Sequence, residues 1–234
     1  MSDVFKNPPP ALSNDYVFDI IKKHYDINPS LTPLVSDRDQ NFKITEEGKS
    51  HIFKIANSAE SKSVLEMQNS ALNYISKKDD SIEIPQPVKT IDGHDILSIQ
   101  ITNTKYYARL LTYVEGVFLK DVKPTNGTTF SVGKFLGYLD KGLAGFNHRA
   151  AKRKFIWDVS QVSLLKSNLT KDDFDLITFF INSFKHDISS LINDFPKTII
   201  HNDGNDHNIL LDSWNRVKGL SLIHISEPTR HRYI

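Results

Sequence analysis

Residues 199 to 212 read IIHNDGNDHNILLD, and no other stretch restricts the fold as strongly. Isoleucines and leucines stand on both sides of a short run of histidine, aspartate, asparagine and glycine. The apolar flanks read as short buried strands, so the polar run lies where two buried elements change direction. One reading is a plain surface turn. A second is a metal cage, in which His201, Asp203, Asp206 and His207 ligate zinc or a metal pair. That cage needs ligands from elsewhere, and the candidates His24, His51, His94, His148 and His186 each stand without a partner at ligand spacing. The third reading is a phosphotransfer loop. One carboxylate accepts the proton of an attacking hydroxyl, and a neutral oxygen a few residues on holds Mg²⁺ against nucleotide phosphates. Asp203 is then the base, Asn208 the metal ligand, and His201 holds the loop by hydrogen bonds.

The N-terminal half favours the third reading. A kinase needs a hairpin loop over the phosphates, a strand lysine reaching them and a helix carboxylate to hold that lysine. The turn SDRDQN, residues 36 to 41, supplies the loop. Lys54 lies in the apolar strand HIFKIAN, where a lysine is costly unless paired. Glu66 follows in SAESKSVLEMQNSALNYISKK, the best helix of the chain, with Val64, Met67, Ala71, Tyr74 and Ile75 on one face. SNDYVFDIIKKHYDI predicts an earlier amphipathic helix, while HDILSIQIT and YYARLLTYVEG predict two further strands. Residues 1–115 thus read as a small sheet with one packed helix. Beyond Gly116 the apolar spacing turns helical, in TFSVGKFLGYLDKGLAGF and DDFDLITFFINSFKHDISSLI.

Composition narrows the partners. The net charge of +1 provides no field for nucleic acid or an anionic membrane. Cysteine is absent, which removes disulfide scaffolds and thiolate metal sites. No apolar run suits a membrane span or a signal peptide, so a cytoplasmic protein is expected.

SDRDQNF, FKIANSAE, LEMQNSAL, RLLTYVEG and IHNDGNDHNILL together resemble the aminoglycoside phosphotransferase superfamily, in particular its hydroxylysine-kinase-like branch. The resemblance covers about residues 12–220. It implies an α+β, bilobal protein-kinase-like fold, with an N-lobe of antiparallel sheet plus one helix over 1–115 and a mostly helical C-lobe over 116–220. It also implies ATP or GTP as donor, Mg²⁺, and a small amine-bearing alcohol, of the hydroxylysine or amino-alcohol type, as acceptor. By matching motif, Lys54 contacts the phosphates, Glu66 pairs with it, Asp203 is the base and Asn208 binds metal. Ser36, Asp37, Arg38, Gln40 and Asn41 lie where a glycine-rich loop would, though this loop has no glycine. Thr112, Tyr113 and Val114 form the connector that hydrogen-bonds the purine. Relatives of this branch are often fused to a class III aminotransferase. In the family VKGL continues as IDFGD, whose first aspartate is a second metal ligand. Here it continues as SLIHISEPTRHRYI, without aspartate. That tail, residues 221–234, resembles translated sequencing-adapter read-through. The C-lobe is therefore expected to be incomplete and the chain to be a weak or inactive kinase, a nucleotide-binding module at the least.

Overall fold

The computed structural model describes residues 7–36, 38–79, 83–153, 158–168, 170, 174–194, 197–221 and 229–230. Asp37 and most of the tail after Ser221, Glu227 included, lie outside them.

The first helix, α1 (Asn14–Tyr25), starts where the Ser13 hydroxyl accepts the Tyr16 N–H at 3.3 Å. Its buried residues, Val17, Ile20, Ile21 and Tyr25, follow helical spacing. Three strands come next, β1 (Ser30–Leu34), β2 (Gln40–Glu46) and β3 (Lys49–Ile55), paired antiparallel in sequence order. The β2–β3 turn places Glu47 and Gly48 at φ 48° and 78°, the left-handed pair that a two-residue hairpin matching strand twist requires. Helix α2 (Lys62–Lys78) begins within the stretch SAESKSVLEMQNSALNYISKK, where the Ser61 hydroxyl accepts the Val64 N–H and sets the start. β4 (Pro87–Val88), β5 (Leu97–Ile101) and β6 (Thr104–Thr112) complete the sheet. β6 pairs with β3 along one edge and with β5 and β4 along the other, all antiparallel.

Sheet alternation sorts the side chains onto two faces. Phe42, Ile44, Phe53, Ile55, Ala108 and Leu110 point one way and form a core with α1. Asn41, Lys54, Arg109 and Leu111 point the other way, towards α2. The sheet thus carries a helix on each face rather than the one expected, since the face away from α2 is itself apolar and is covered by α1.

After β6 come β7 (Val117–Phe118) and α3 (Asn126–Leu143), which opens on a capping box between Thr125 and Thr128. Glycines inside α3 weaken it intrinsically; burial of Phe135, Leu139 and Leu143 against Ala71, Leu72 and Ile75 of α2 offsets that. Among the described residues, short 3-10 turns aside, α4 (Phe174–Asp187), β8 (Ile199–Ile200), β9 (Ile209–Leu211), β10 (Val217–Leu220) and β11 (Thr229–Arg230) follow. The strands flanking the polar run are present, yet they do not pair with each other. β9 lies between β7 and β10, and β8 pairs with β11. The run is therefore a crossing between two sheets and not a hairpin turn. One apolar cluster runs from α2 and Leu111 through α3 to Ile209, Leu211 and Leu220, so the sheet and the polar loop share a continuous core. Among the described residues no helix is long and apolar enough to cross a membrane.

Candidate active site

The loop between β8 and β9 is held by its own polar side chains. His201 Nδ1 accepts the backbone N–H of Asp203 at 3.3 Å. Burial drives the His201 imidazolium down to about 4, against the pull of Asp203, so the ring is neutral at physiological pH and free to accept. Asn202 takes a left-handed φ of 61°, which turns the chain sharply between the two. The Asp203 carboxylate accepts from Asn205 Nδ2 at 2.7 Å and from Asn208 Nδ2 at 2.6 Å, and Asn208 also donates to the Asp203 carbonyl at 3.0 Å. Asn205 closes the turn by accepting the His207 N–H at 3.0 Å.

Asn208 itself is fully buried, and its Oδ1 has no hydrogen-bond partner among the described residues. A buried amide oxygen left unsatisfied costs about 1–3 kcal/mol unless something else fills the role. With its NH₂ already spent on Asp203, this oxygen fits a hard divalent cation beside the carboxylate. No group of three or more His, Cys, Asp or Glu among the described residues could hold a metal ion. His207 faces its neighbour Asp206 at 3.0 Å, both about half exposed, and among the described residues this pair gains no third ligand of a zinc cage.

Glycine makes the close approaches around this loop. A Cβ at Gly219 would fall 2.2 Å from the Glu83 carbonyl oxygen, and one at Gly116 would fall 3.0 Å from the Leu211 carbonyl oxygen. The first contact seats β10 against the segment at Glu83, and the second seats the connector against β9, the strand that follows Asn208. Ser221 N–H donates to the Asn208 carbonyl at 2.6 Å and anchors the loop from the other side.

On the sheet, Lys54 is 3% exposed and faces Asp39 Oδ2 at 4.0 Å. Burial draws its ammonium down to about 7; Asp39 pulls upward, while Arg109 and Arg38 add to the depression. Glu66 is elsewhere. It pairs with Lys62 one helical turn away at 3.3 Å, and both side chains are about half exposed. The expected Lys54–Glu66 pair is therefore replaced by Lys54–Asp39, because position 66 lies on the outer face of α2 and Gln68 and Asn69 on the inner one.

The loop before β2 is ordered by side chains where a glycine-rich loop would use backbone. Ser36 Oγ accepts the Asp39 N–H at 3.3 Å. Asp39 Oδ1 accepts the Asn57 N–H at 3.2 Å, and Asn57 Nδ2 reaches the carbonyls of Asn7, Pro8 and Arg38 at 3.1, 3.2 and 3.4 Å. Gln40 makes two hydrogen bonds to the Leu12 backbone, both 2.9 Å, which ties it to the N-terminal segment instead of a nucleotide. Asn41 is buried beside Lys54 in strand register. In the connector, Thr112 N–H donates to Gln86 and Tyr113 N–H to Ser50, so those donors serve the fold. Val114 is buried, with its side chain against Gly219 of β10.

Sequence reasoning missed Asn57 and Arg109. Arg109 repeats the signal that marked Lys54, a charge set inside the apolar strand sequence ARLL. Asn57, at the end of FKIAN, carries no comparable mark.

This arrangement of lysine-bearing sheet, connector and Asp–Asn loop defines a class of phosphotransferases. Residues 30–220 match the phosphotransferase enzyme family, APH, and the chain belongs to that family. It is 29% identical over 223 residues to the hydroxylysine kinase of Danio rerio and 32% identical over 232 residues to that of Xenopus laevis. Each alignment covers 88% of this chain but 62% and 60% of the relatives, so the chain spans about three fifths of their length. Among solved structures, the amicoumacin kinase hAmiN in complex with AMP-PNP, Ca²⁺ and Ami superposes with a TM-score of 0.71 at 17% identity, covering 94% of this chain and 66% of that one. The microcompartment-associated aminopropanol kinase gives 0.68 at 14% identity, covering 93% and 70%. The fold is that of these kinases.

Proposed function

We propose that the chain is the nucleotide-binding and catalytic-loop portion of a small-molecule kinase, with an amine-bearing alcohol of the hydroxylysine or amino-alcohol type as acceptor. The observation that carries this is the buried Asn208 Oδ1 left open beside Asp203. Asp203 accepts the proton of the acceptor hydroxyl, whose oxygen bonds to the terminal phosphorus as the bridging P–O bond breaks and the nucleoside diphosphate leaves. His201, neutral and hydrogen-bonded to the Asp203 N–H, keeps the carboxylate in place. Lys54 meets the phosphates of ATP or GTP in place of Asp39. Asn208 would hold Mg²⁺, whose charge would neutralise the transferring phosphoryl group. The relatives named for hydroxylysine and aminopropanol support the acceptor class.

A second reading has a specific basis. No aspartate follows Asp212, whereas the family resemblance implies one just after the strand ending at Leu220 as a further metal ligand. The chain as it stands is then a nucleotide binder with little turnover. Thermal shift with AMP-PNP, with and without Mg²⁺, and a phosphoryl-transfer assay on hydroxylysine and ethanolamine separate the two. Mg²⁺-dependent stabilisation that Asn208→Leu abolishes supports both; turnover supports the first alone. No stabilisation by nucleotide in the unaltered protein sinks both.

A further inference from the structure

Lys54 and Arg109 are register partners on adjacent strands, and both are buried on the face towards α2. Arg109 is fixed: its guanidinium donates to Asn69 Oδ1 at 2.9 Å and to Gln68 Oε1, both on α2. Two neighbouring cations in a dry pocket repel strongly. The one pinned to a helix by a planar fork stays where it is. The one on a flexible four-carbon stem faces Asp39 on the loop before β2. We propose that Arg109 is a positioning residue for Lys54: clamped to α2 by Gln68 and Asn69, it fills the helix side of the pocket and holds the lysine ammonium out at the phosphate-binding loop. Neutral amides suit this task. A carboxylate on the inner face of α2 would draw Lys54 back to the helix, and among the described residues the charged groups facing Lys54 are Asp39 and Arg38 from the loop and Arg109 from β6.

The inference rests on the nucleotide-binding reading, but its test has an independent readout. In protein carrying ¹³Cε-lysine, the Lys54 signal is assigned by its loss in Lys54→Arg and titrated with pH, and AMP-PNP affinity is measured by calorimetry. Arg109→Gln is expected to raise the Lys54 midpoint by about one unit and weaken AMP-PNP about tenfold. Arg109→Lys is expected to recover part of that affinity. A lower Tm with unchanged midpoint and affinity would mean that Arg109 is merely structural and would overturn the proposal. Should Arg109→Gln not fold, Gln68→Glu decides: a raised Lys54 midpoint supports the positioning role, and an unmoved one ends it. Absence of AMP-PNP binding in the unaltered protein would sink the nucleotide reading, while the Lys54 titration would still report on Arg109.

Discussion

At the scale of single residues, the candidate site keeps two basic groups short of protons. Lys54 is held near 7 and His201 near 4, each chiefly by burial. The signs give distinct pH windows. The unfolded chain holds a proton on lysine up to about 10.4, so between there and 7 unfolding takes up a proton and stability rises with pH. Below 7 the cost of burying the ammonium is complete. Lys54→Met removes that cost and is expected to leave Tm at pH 7 unchanged or higher, while AMP-PNP affinity falls at least about tenfold. A clear loss of Tm with affinity retained would contradict it. For His201 the window runs from about 6.5 in the unfolded chain to about 4, and stability falls as pH drops through it. His201→Asn keeps a side-chain acceptor for the Asp203 N–H but cannot titrate. Its melting temperature is expected to fall less steeply than that of the unaltered protein between those values.

At the scale of elements, the site depends on strands that approach where no side chain fits. Gly219→Ala would push a methyl into the Glu83 carbonyl, a backbone group that cannot turn aside, with the Val114 side chain also 3.1 Å away. A loss of about 2 kcal/mol or more is expected by chemical denaturation, within the range of overpacked cores. The same substitution at Gly204 meets Leu136, a side chain that can turn aside, and is expected to cost less. Such contacts explain what was legible beforehand. Periodicity located α1, α2, α3 and the strands around Lys54, because burial of one face imposes the period. It could not show that β8 and β9 join different sheets, since strand pairing is a long-range choice that local spacing does not encode. Glu66 shows the same limit within α2. Its place in the chain order suited a partner of Lys54, but a helix turns 100° per residue, so Gln68 and Asn69 face the sheet and Glu66 faces Lys62.

At the scale of the whole molecule, the apolar surface is uneven. Helix α4 buries Ile181 but leaves Phe174, Leu176, Phe179 and Phe180 at 46%, 62%, 63% and 61% exposure. Phe179 and Phe180 stack edge to face, 5.5 Å between centroids, on the open side. A contiguous aromatic patch on a helix is far from the scattered apolar residues normal at a surface. The sheet half shows no comparable cluster among its described residues, where α1 and α2 cover both faces of the strands. Self-association is therefore expected to arise through α4, leaving the proposed nucleotide site on Lys54 and Asp203 untouched. Light scattering coupled to gel filtration is expected to show concentration-dependent oligomers for the unaltered protein. Phe179→Asp with Phe180→Lys is expected to shift the population to monomer while AMP-PNP affinity stays within about twofold. Oligomers that persist in the double variant would place the contact elsewhere, and a parallel loss of affinity would mean that α4 and the nucleotide site are coupled through the core that joins the two halves.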